Sequence, residues 1–352
     1  MGLPQVKITF ESLYKSIIER SERGIVALIV NDSTATNQVY EFNSINDVTK
    51  STFSEKVYDY IDKTFLGNPR KVFVEVINTT NQRTLQSVLS DLETKRFNYL
   101  AIPEAESSDA TTITSWIKTC RQNGKKYKAV LANSQGDNEG IINFTTTGIK
   151  VGSKSYTTAE YCARLAGIFA GLSIDRSATY YVLDEVTEIV KVTNADTAID
   201  GGELILINDG EKIKIARAVN SLKTLAENQS EELKKIKIVE AIDIIYEDIS
   251  KTFEDEYIGK VLNKYDNKIL FIAAVNAYFK GLQKSGALDP DEDAYVDIDE
   301  KANEAYLQGK NVDTSTYTET EIRKANTGSK LFLTGKIRPL DAMEDLDLTL
   351  YM

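Results

Sequence analysis

The chain has 352 residues, 42% of them hydrophobic and 27% charged, with only five prolines; this is an ordinary globular composition, long enough for two domains. A formal net charge of −11 argues against non-specific nucleic-acid binding and against an anionic membrane surface. The absence of any histidine excludes Ser-His-Asp and Cys-His catalytic sites and a His-bearing zinc site.

The two cysteines, Cys120 and Cys162, are isolated and fit no CxxC pattern, and Cys162 lies in a helical apolar pattern that assigns it to packing. The strongest apolar run, Ile269 to Val275, is far too short to cross a bilayer. The start, MGLPQVKITF, lacks a signal peptide's charged and hydrophobic regions, and Val6 breaks the myristoylation pattern. The expectation is a protein made in the cytosol and released only by lysis.

In chain order, Val6, Ile8 and Phe10 alternate with Lys7 and Thr9, predicting a short terminal strand. After a polar stretch to Arg23, Gly24 opens IVALIVND, a buried strand. Ser54 to Phe65 has helical spacing and is stopped by Gly67-Asn68-Pro69, and Lys71 to Ile77 is the next strand. Thr84 to Arg96 and Thr111 to Asn123 follow as helices, each succeeded by a strand, at Tyr99 to Ile102 and Tyr127 to Leu131. Strand and helix alternating with short links imply βαβ units and a largely parallel sheet. Ile141 to Phe144 and Ile149 to Val151 add short strands. Thr157-Thr158-Ala159-Glu160 is a capping box for a helix to Gly171, whose Ala163, Ala166, Gly167, Ala170 and Gly171 make it thin enough to pack closely on another element.

Tyr180 to Val192 is extended or mixed. Gly201 to Leu225 reads as a β-hairpin, with the apolar run Leu204 to Ile207, an Asn208-Asp209-Gly210 turn and a return strand alternating through Ile213, Ile215, Arg217 and Val219. Arg217 shares a face with two isoleucines, so it either finds a carboxylate or carbonyl partner, as a structural ion pair, or reaches solvent at an edge. Ser221 to Lys234 is a polar link. Helical patterns run over Ile236 to Phe253, Ile258 to Tyr265 and Asn267 to Gln283. Short elements then fall at Tyr295 to Ile298 (strand), Glu300 to Gln308 (helix), Leu331 to Leu333 and Lys336 to Ile337 (strands). The chain ends in DLDLTLYM, alternating Leu346, Leu348 and Leu350 against Asp347, Thr349 and Tyr351. The two ends mirror each other as isolated alternating strands. Each must add to a sheet, either in its own domain or, by β-augmentation, in a neighbouring subunit.

Two motifs invite chemistry. Gly148 to Ser155 superficially resembles a phosphate loop, but one residue is missing between the glycines and Ser153 intrudes before Lys154. Asp289, Asp291, Asp293, Asp297 and Glu300 occupy positions one, three, five, nine and twelve of a calcium-type loop, yet Ala294 stands where the sharp turn needs glycine. A polar turn and a solvated acidic loop are the competing explanations. With 53 carboxylates in the chain, spacing alone singles out no catalytic pair.

The Gly201 to Leu225 hairpin resembles the strand pair closing the α/β domain of contractile tail sheath proteins, the family found in myophages, prophage tails and R-type bacteriocins. SYTTAEYCARLAGIFAGLSIDRSATYYVLDEV resembles the family's preceding helix and loop, and ILFIAAVNAYFKGLQKSGAL its C-terminal-domain helix. VDIDEKANEAYLQGKNVD and TGSKLFLTGKIRPLDAMEDLDLTLYM resemble the ends of short sheath subunits; together these stretches cover roughly residues 150–352. The resemblance implies a subtilisin-like α/β domain without its triad, an α+β C-terminal domain facing an inner tube, and extended terminal β-arms. It divides the chain into an arm at 1–20, an α/β domain at 21–225, a tube-facing domain at 226–340 and an arm at 341–352. It implies no enzyme activity, no cofactor, no nucleic-acid and no membrane partner. It implies a helical sheath of stacked hexameric rings that contracts to drive the tube through a cell envelope, with tube, baseplate and tail terminator proteins as partners, in a virion or phage-tail-like particle. The alternatives are an α/β-domain enzyme or nucleotide-binding protein and a calcium-dependent assembly protein. No GxGxxG, phosphate loop or histidine supports the first; the Ala294 substitution weakens the second.

Overall fold

A computed structural model describes residues 23–78, 83–227 and 229–351. The predicted N-terminal strand with Val6, Ile8 and Phe10 lies outside them. The described residues form two compact units, residues 23–243 with 341–351 and residues 244–340.

The α/β unit begins with β1 (Ile25–Asn31), six of whose seven residues are buried, as expected of a strand covered on both faces. β2 (Val39–Phe42), α1 (Glu55–Phe65), β3 (Lys71–Ile77), α2 (Leu85–Leu92), β4 (Tyr99–Ala101), α3 (Ser107–Gln122), β5 (Lys128–Ala132) and β6 (Ile141–Phe144) follow. After the small hairpin of β7 (Ile149–Val151) and β8 (Lys154–Tyr156) come α4 (Thr158–Gly171), α5 (Ala195–Asp200) and β9 (Glu203–Leu204). The central sheet has seven strands in the order β2-β3-β1-β4-β5-β6-β9. All pairings are parallel except that of the edge strand β2, which runs antiparallel to β3. Val26, Leu28 and Val30 face one core with α1 and α4; Ile25, Ala27 and Ile29 face the other with α2 and α3. The alternating sides of one strand thus seed both layers.

The helix starts follow local chemistry. Ser54 caps α1, and Thr84 and Thr157 close capping boxes at α2 and α4. α4 is as thin as its small residues predict. A Cβ on Gly167 would stand 2.0 Å from the Thr64 carbonyl oxygen, and one on Gly171 would stand 1.8 Å from that of Gly67, so α1 and its C-terminal turn press directly on the α4 backbone. β5 and β6 depart from the expected βαβ pattern: they are parallel, yet only residues 133–140 join them, far shorter than a helical crossover. Asn133 and Asp137 carry the reversal with φ of 51° and 44°.

β10 (Leu206–Asn208) and β11 (Ile213–Ile215) form a hairpin with Leu206 opposite Ile215 and Asn208 opposite Ile213, but the single strand expected over Leu204 to Ile207 is split, Leu204 pairing with β6 in the central sheet as part of β9. Gly210 turns it with φ of 99°, and the Asp209 carboxylate accepts from the Glu211 and Lys212 amides and from Lys214. The return strand ends at Ile215, four residues before the predicted alternation runs out at Val219, and beyond it Ala216 and Ala218 are buried as well as Val219, so the two sides no longer alternate. Three elements of this unit went unread: β2, whose residues alternate between exposed and half-buried, β8, which lies where a polar turn was expected, and α5, a short stretch capped by Asn194.

α6 (Ile236–Glu256) spans the dividing line between the units at Asp243 and Ile244. The second unit continues with α7 (Tyr265–Lys284), β12 (Tyr295–Ile298), α8 (Glu300–Gln308), α9 (Glu319–Lys324) and β13 (Leu333–Lys336). β12 and β13 pair antiparallel. Buried Ile244, Phe271, Val275, Phe279, Leu282, Leu288, Ile298 and Leu307 form its apolar interior. The helix expected over Ile258 to Tyr265 is absent: 257–260 is a turn, Gly259 has φ of 74°, and Ile258 and Leu262 are exposed. The strands expected at Leu331 to Leu333 and Lys336 to Ile337 are one strand, β13.

Candidate assembly surface

Residues 341–351 belong to the α/β unit but form no strand with any described residue. The predicted terminal strand is therefore a strand by pattern only, because among the described residues no strand edge meets it. Leu346, Leu348 and Leu350 are 88%, 66% and 78% exposed. Immediately before them the segment is held by charge. Asp341 pairs with Lys235. Glu344 accepts from the Ser177 hydroxyl at 3.0 Å, with Arg217 Nε at 3.6 Å and Lys235 Nζ at 3.9 Å, and its side chain is only 6% exposed. Asp345 meets Arg217 Nη2 at 2.5 Å. Arg217, one-third exposed, thus sits between the body of the unit and the root of the terminal segment. The sequence left open whether Arg217 finds a partner or reaches solvent, and the partner Asp345 lies 128 residues further along the chain.

The five acidic-loop residues do not converge. Asp297 and Glu300 each bond Arg323, at 2.7 and 2.8 Å, Asp289 accepts from the Asp291 amide, and Tyr295 to Ile298 is committed to β12. The Arg323 guanidinium holds the Asp297 carboxyl below its ordinary range. Among the described residues no group of three or more His, Cys, Asp or Glu side chains is arranged to hold a metal ion. The phosphate-loop look-alike is the β7–β8 hairpin: Val151 is opposite Lys154, Gly152 turns it with φ of 58°, and Lys154 reaches Asp59 at 2.8 Å. No helix N-terminus follows the glycines directly, so the backbone cannot cradle a phosphate there.

Sequence reasoning missed the buried charges. Asp243 receives two bonds of 2.9 Å from Arg121 and one of 3.1 Å from Lys128. Glu240 receives Lys128 at 2.9 Å, Arg23 at 3.0 Å and the Tyr99 hydroxyl. Burial alone would raise both carboxyls, but Lys128 and Arg23 at Glu240, and Lys128 and Arg121 at Asp243, outweigh it and hold both below the usual range. This network joins β4, β5 and α3 to the first turns of α6. The available signal was Lys128 inside the buried strand YKAVL and a Glu-Asp pair three apart on the apolar face of α6. Glu75, fully buried in β3, is likewise matched by Arg83 at 2.6 Å and by Lys95. With Glu139 on Arg121 at 3.0 Å and Asp91 on Arg83 at 2.8 Å, these arrangements are charge-balanced and packed within the sheet unit, which suits structural clamps rather than chemistry on a substrate.

The comparisons with known proteins decide the family. Sequence models of the phage tail sheath protein central domain and C-terminal domain match residues 78–221 and 228–352. The tail sheath protein of Clostridium phage phiCD119 is 38% identical over 362 aligned positions, covering 100% of this chain and 99% of that protein. The chain belongs to the phage tail sheath family. It is accordingly a structural protein of contractile tails and not an enzyme, and proteins of this family are components of virions or phage-tail-like particles. Among solved structures, the helical sheath of the anti-feeding prophage in its contracted state aligns with a TM-score of 0.71 at 12% identity, covering 100% of this chain and 99% of that one. A sheath tail protein from Listeria innocua aligns with a TM-score of 0.70 at 17% identity, covering 93% and 94%. At these identities the likeness establishes the fold: a largely parallel α/β unit joined to a mixed α+β unit.

Proposed function

We propose that this sheath protein polymerises with copies of itself as stacked hexameric rings around an inner tail tube and contracts to drive that tube through a cell envelope. The α/β unit follows a subtilisin-like topology without its triad, consistent with the missing histidine, and residues 226–340 face the tube. The ends act as arms: Val6, Ile8 and Phe10 at one, Leu346, Leu348 and Leu350 at the other, add strands to a neighbour's sheet. Baseplate and terminator proteins bound the polymer, and the particle is synthesised in a bacterial host and released by lysis.

The observation that carries this reading is the terminal segment itself. Three leucines at alternate positions stand in solvent on a stretch that pairs with no described strand. A row of this kind is stable only when another chain pairs with it. Negative-stain microscopy of the purified full chain tests the proposal: striated tubes are the expected outcome, and monodisperse small particles at every concentration and salt tried would refute it.

A further inference from the structure

We propose that Glu344 is the pivot of the C-terminal segment: its buried carboxylate fixes the point at which the chain leaves the α/β unit, and the leucine-bearing stretch beyond swings about that point to meet a second copy of this chain. The inference rests on the assembly reading above.

Met343 is fully exposed and Leu346 is 88% exposed, yet the Glu344 side chain between them is 6% exposed. Its Oε1 accepts from the Ser177 hydroxyl, while the buried Oε2 accepts no hydrogen bond and faces Arg217 and Lys235 at 3.6 and 3.9 Å, so charge attraction rather than hydrogen bonding holds that oxygen out of water. Those partners come from three separate places: Ser177 after α4, Arg217 after β11 and Lys235 before α6. Lys237 adds a further positive charge that interacts with Glu344. Asp341 upstream holds Lys235, and Asp345 downstream holds Arg217, so the anchorage is bracketed on both sides. Leu346, Leu348 and Leu350 beyond Asp345 remain exposed. The boundary between held and unheld chain therefore falls within two residues of a buried charge. Fixing the root reduces the conformations a docking strand must give up, so more of the free subunits are competent to pair. Removing the charge lowers that competent fraction, and the apparent affinity falls by the same factor.

The test compares full-length protein, Glu344→Gln, Glu344→Asp and a chain ending at Glu344, reading the critical concentration for tube growth by sedimentation, thermal melting, and amide exchange over 341–345. Glu344→Gln is expected to raise the critical concentration about tenfold, quicken exchange over 341–345 and leave melting unchanged, while Glu344→Asp, which keeps the charge, recovers most of the difference. Wild-type tube growth by Glu344→Gln, with none by the truncated chain, overturns the pivot and leaves the assembly reading standing. Normal tubes from the truncated chain overturn both. A several-degree loss of melting temperature in Glu344→Gln, repeated in Arg217→Met, assigns the carboxylate to the stability of the fold and also overturns the pivot.

Discussion

Single residues in this protein are decided by what surrounds a charge or a missing methyl group. Lys268 on α7 is 3% exposed, and its ammonium bonds only the Ala325 carbonyl at 3.3 Å and the Thr327 hydroxyl at 3.2 Å, with no carboxylate partner among the described residues. Burial pulls its pKa below the ordinary lysine value. The unfolded chain therefore holds this proton more tightly than the folded one, and stability rises with pH through the window between the lowered and the ordinary value. Measured against Lys268→Met from about pH 8 to about pH 11, wild type is expected to gain melting temperature relative to the variant; a constant difference would show that the lysine is not penalised by burial. Gly167 makes the opposite case. Alanine there improves helix propensity by about 1 kcal/mol, but its methyl would meet the Thr64 carbonyl oxygen at 2.0 Å. Backbone must move to admit it, and overpacking of this kind costs typically about 1–3 kcal/mol, more where no side chain can yield. Gly167→Ala is expected to lose about 2 kcal/mol net, seen as a drop of roughly 4–8 °C in melting temperature.

At the level of elements, the β10–β11 hairpin carries core from its return strand. Ile213 and Ile215 are 4% and 0% exposed and belong to the same apolar cluster as β1 and α4. Truncating either to alanine is expected to cost about 2–5 kcal/mol, measured by denaturant unfolding of protein held below its polymerisation concentration; an unchanged midpoint would place the hairpin outside the core. Around β12 the acidic residues are bound to separate cations, Glu292 to Lys336 and Arg338 and Asp297 to Arg323, rather than to a shared centre. Chelator is accordingly expected to change neither melting nor tube formation. A fall in either, reproduced by Asp289→Ala, would restore the calcium reading.

For the whole molecule, the question is whether the terminal segments fold the subunit or join subunits. A docked strand forms a few backbone hydrogen bonds, each about 0.5–1.5 kcal/mol net, and each fully buried leucine adds roughly 1.5–3 kcal/mol. Ordering the segment costs about 1–2 kcal/mol per residue, so one arm is weak alone and a lattice of many is strong. Deleting residues 345–352, or residues 1–10, is expected to leave a soluble monomer with nearly unchanged melting and no tubes. Unfolding of either deleted chain would assign that segment to its own domain's core.

Much of the parallel-sheet architecture was legible in the sequence. β3, β6, β7 and β12 match their predicted residues, because a strand covered on both faces must be an apolar run and a half-covered one must alternate. The α4 capping box and the closeness of its packing were also local facts, written in Thr157, Glu160 and the small residues that follow. What escaped was whatever depends on a distant partner. Nothing near Arg217 in the chain names Glu344 or Asp345, and nothing near Lys128 names Glu240 or Asp243. Charge pairing has no sequence period, and only the fold brings these stretches together. The terminal leucines show the same division from the other side: their alternation predicts a strand that needs a sheet edge, while the tertiary structure pairs the segment with no described strand, because the charges at Asp341, Glu344 and Asp345 root it on the α/β unit and leave its leucines exposed.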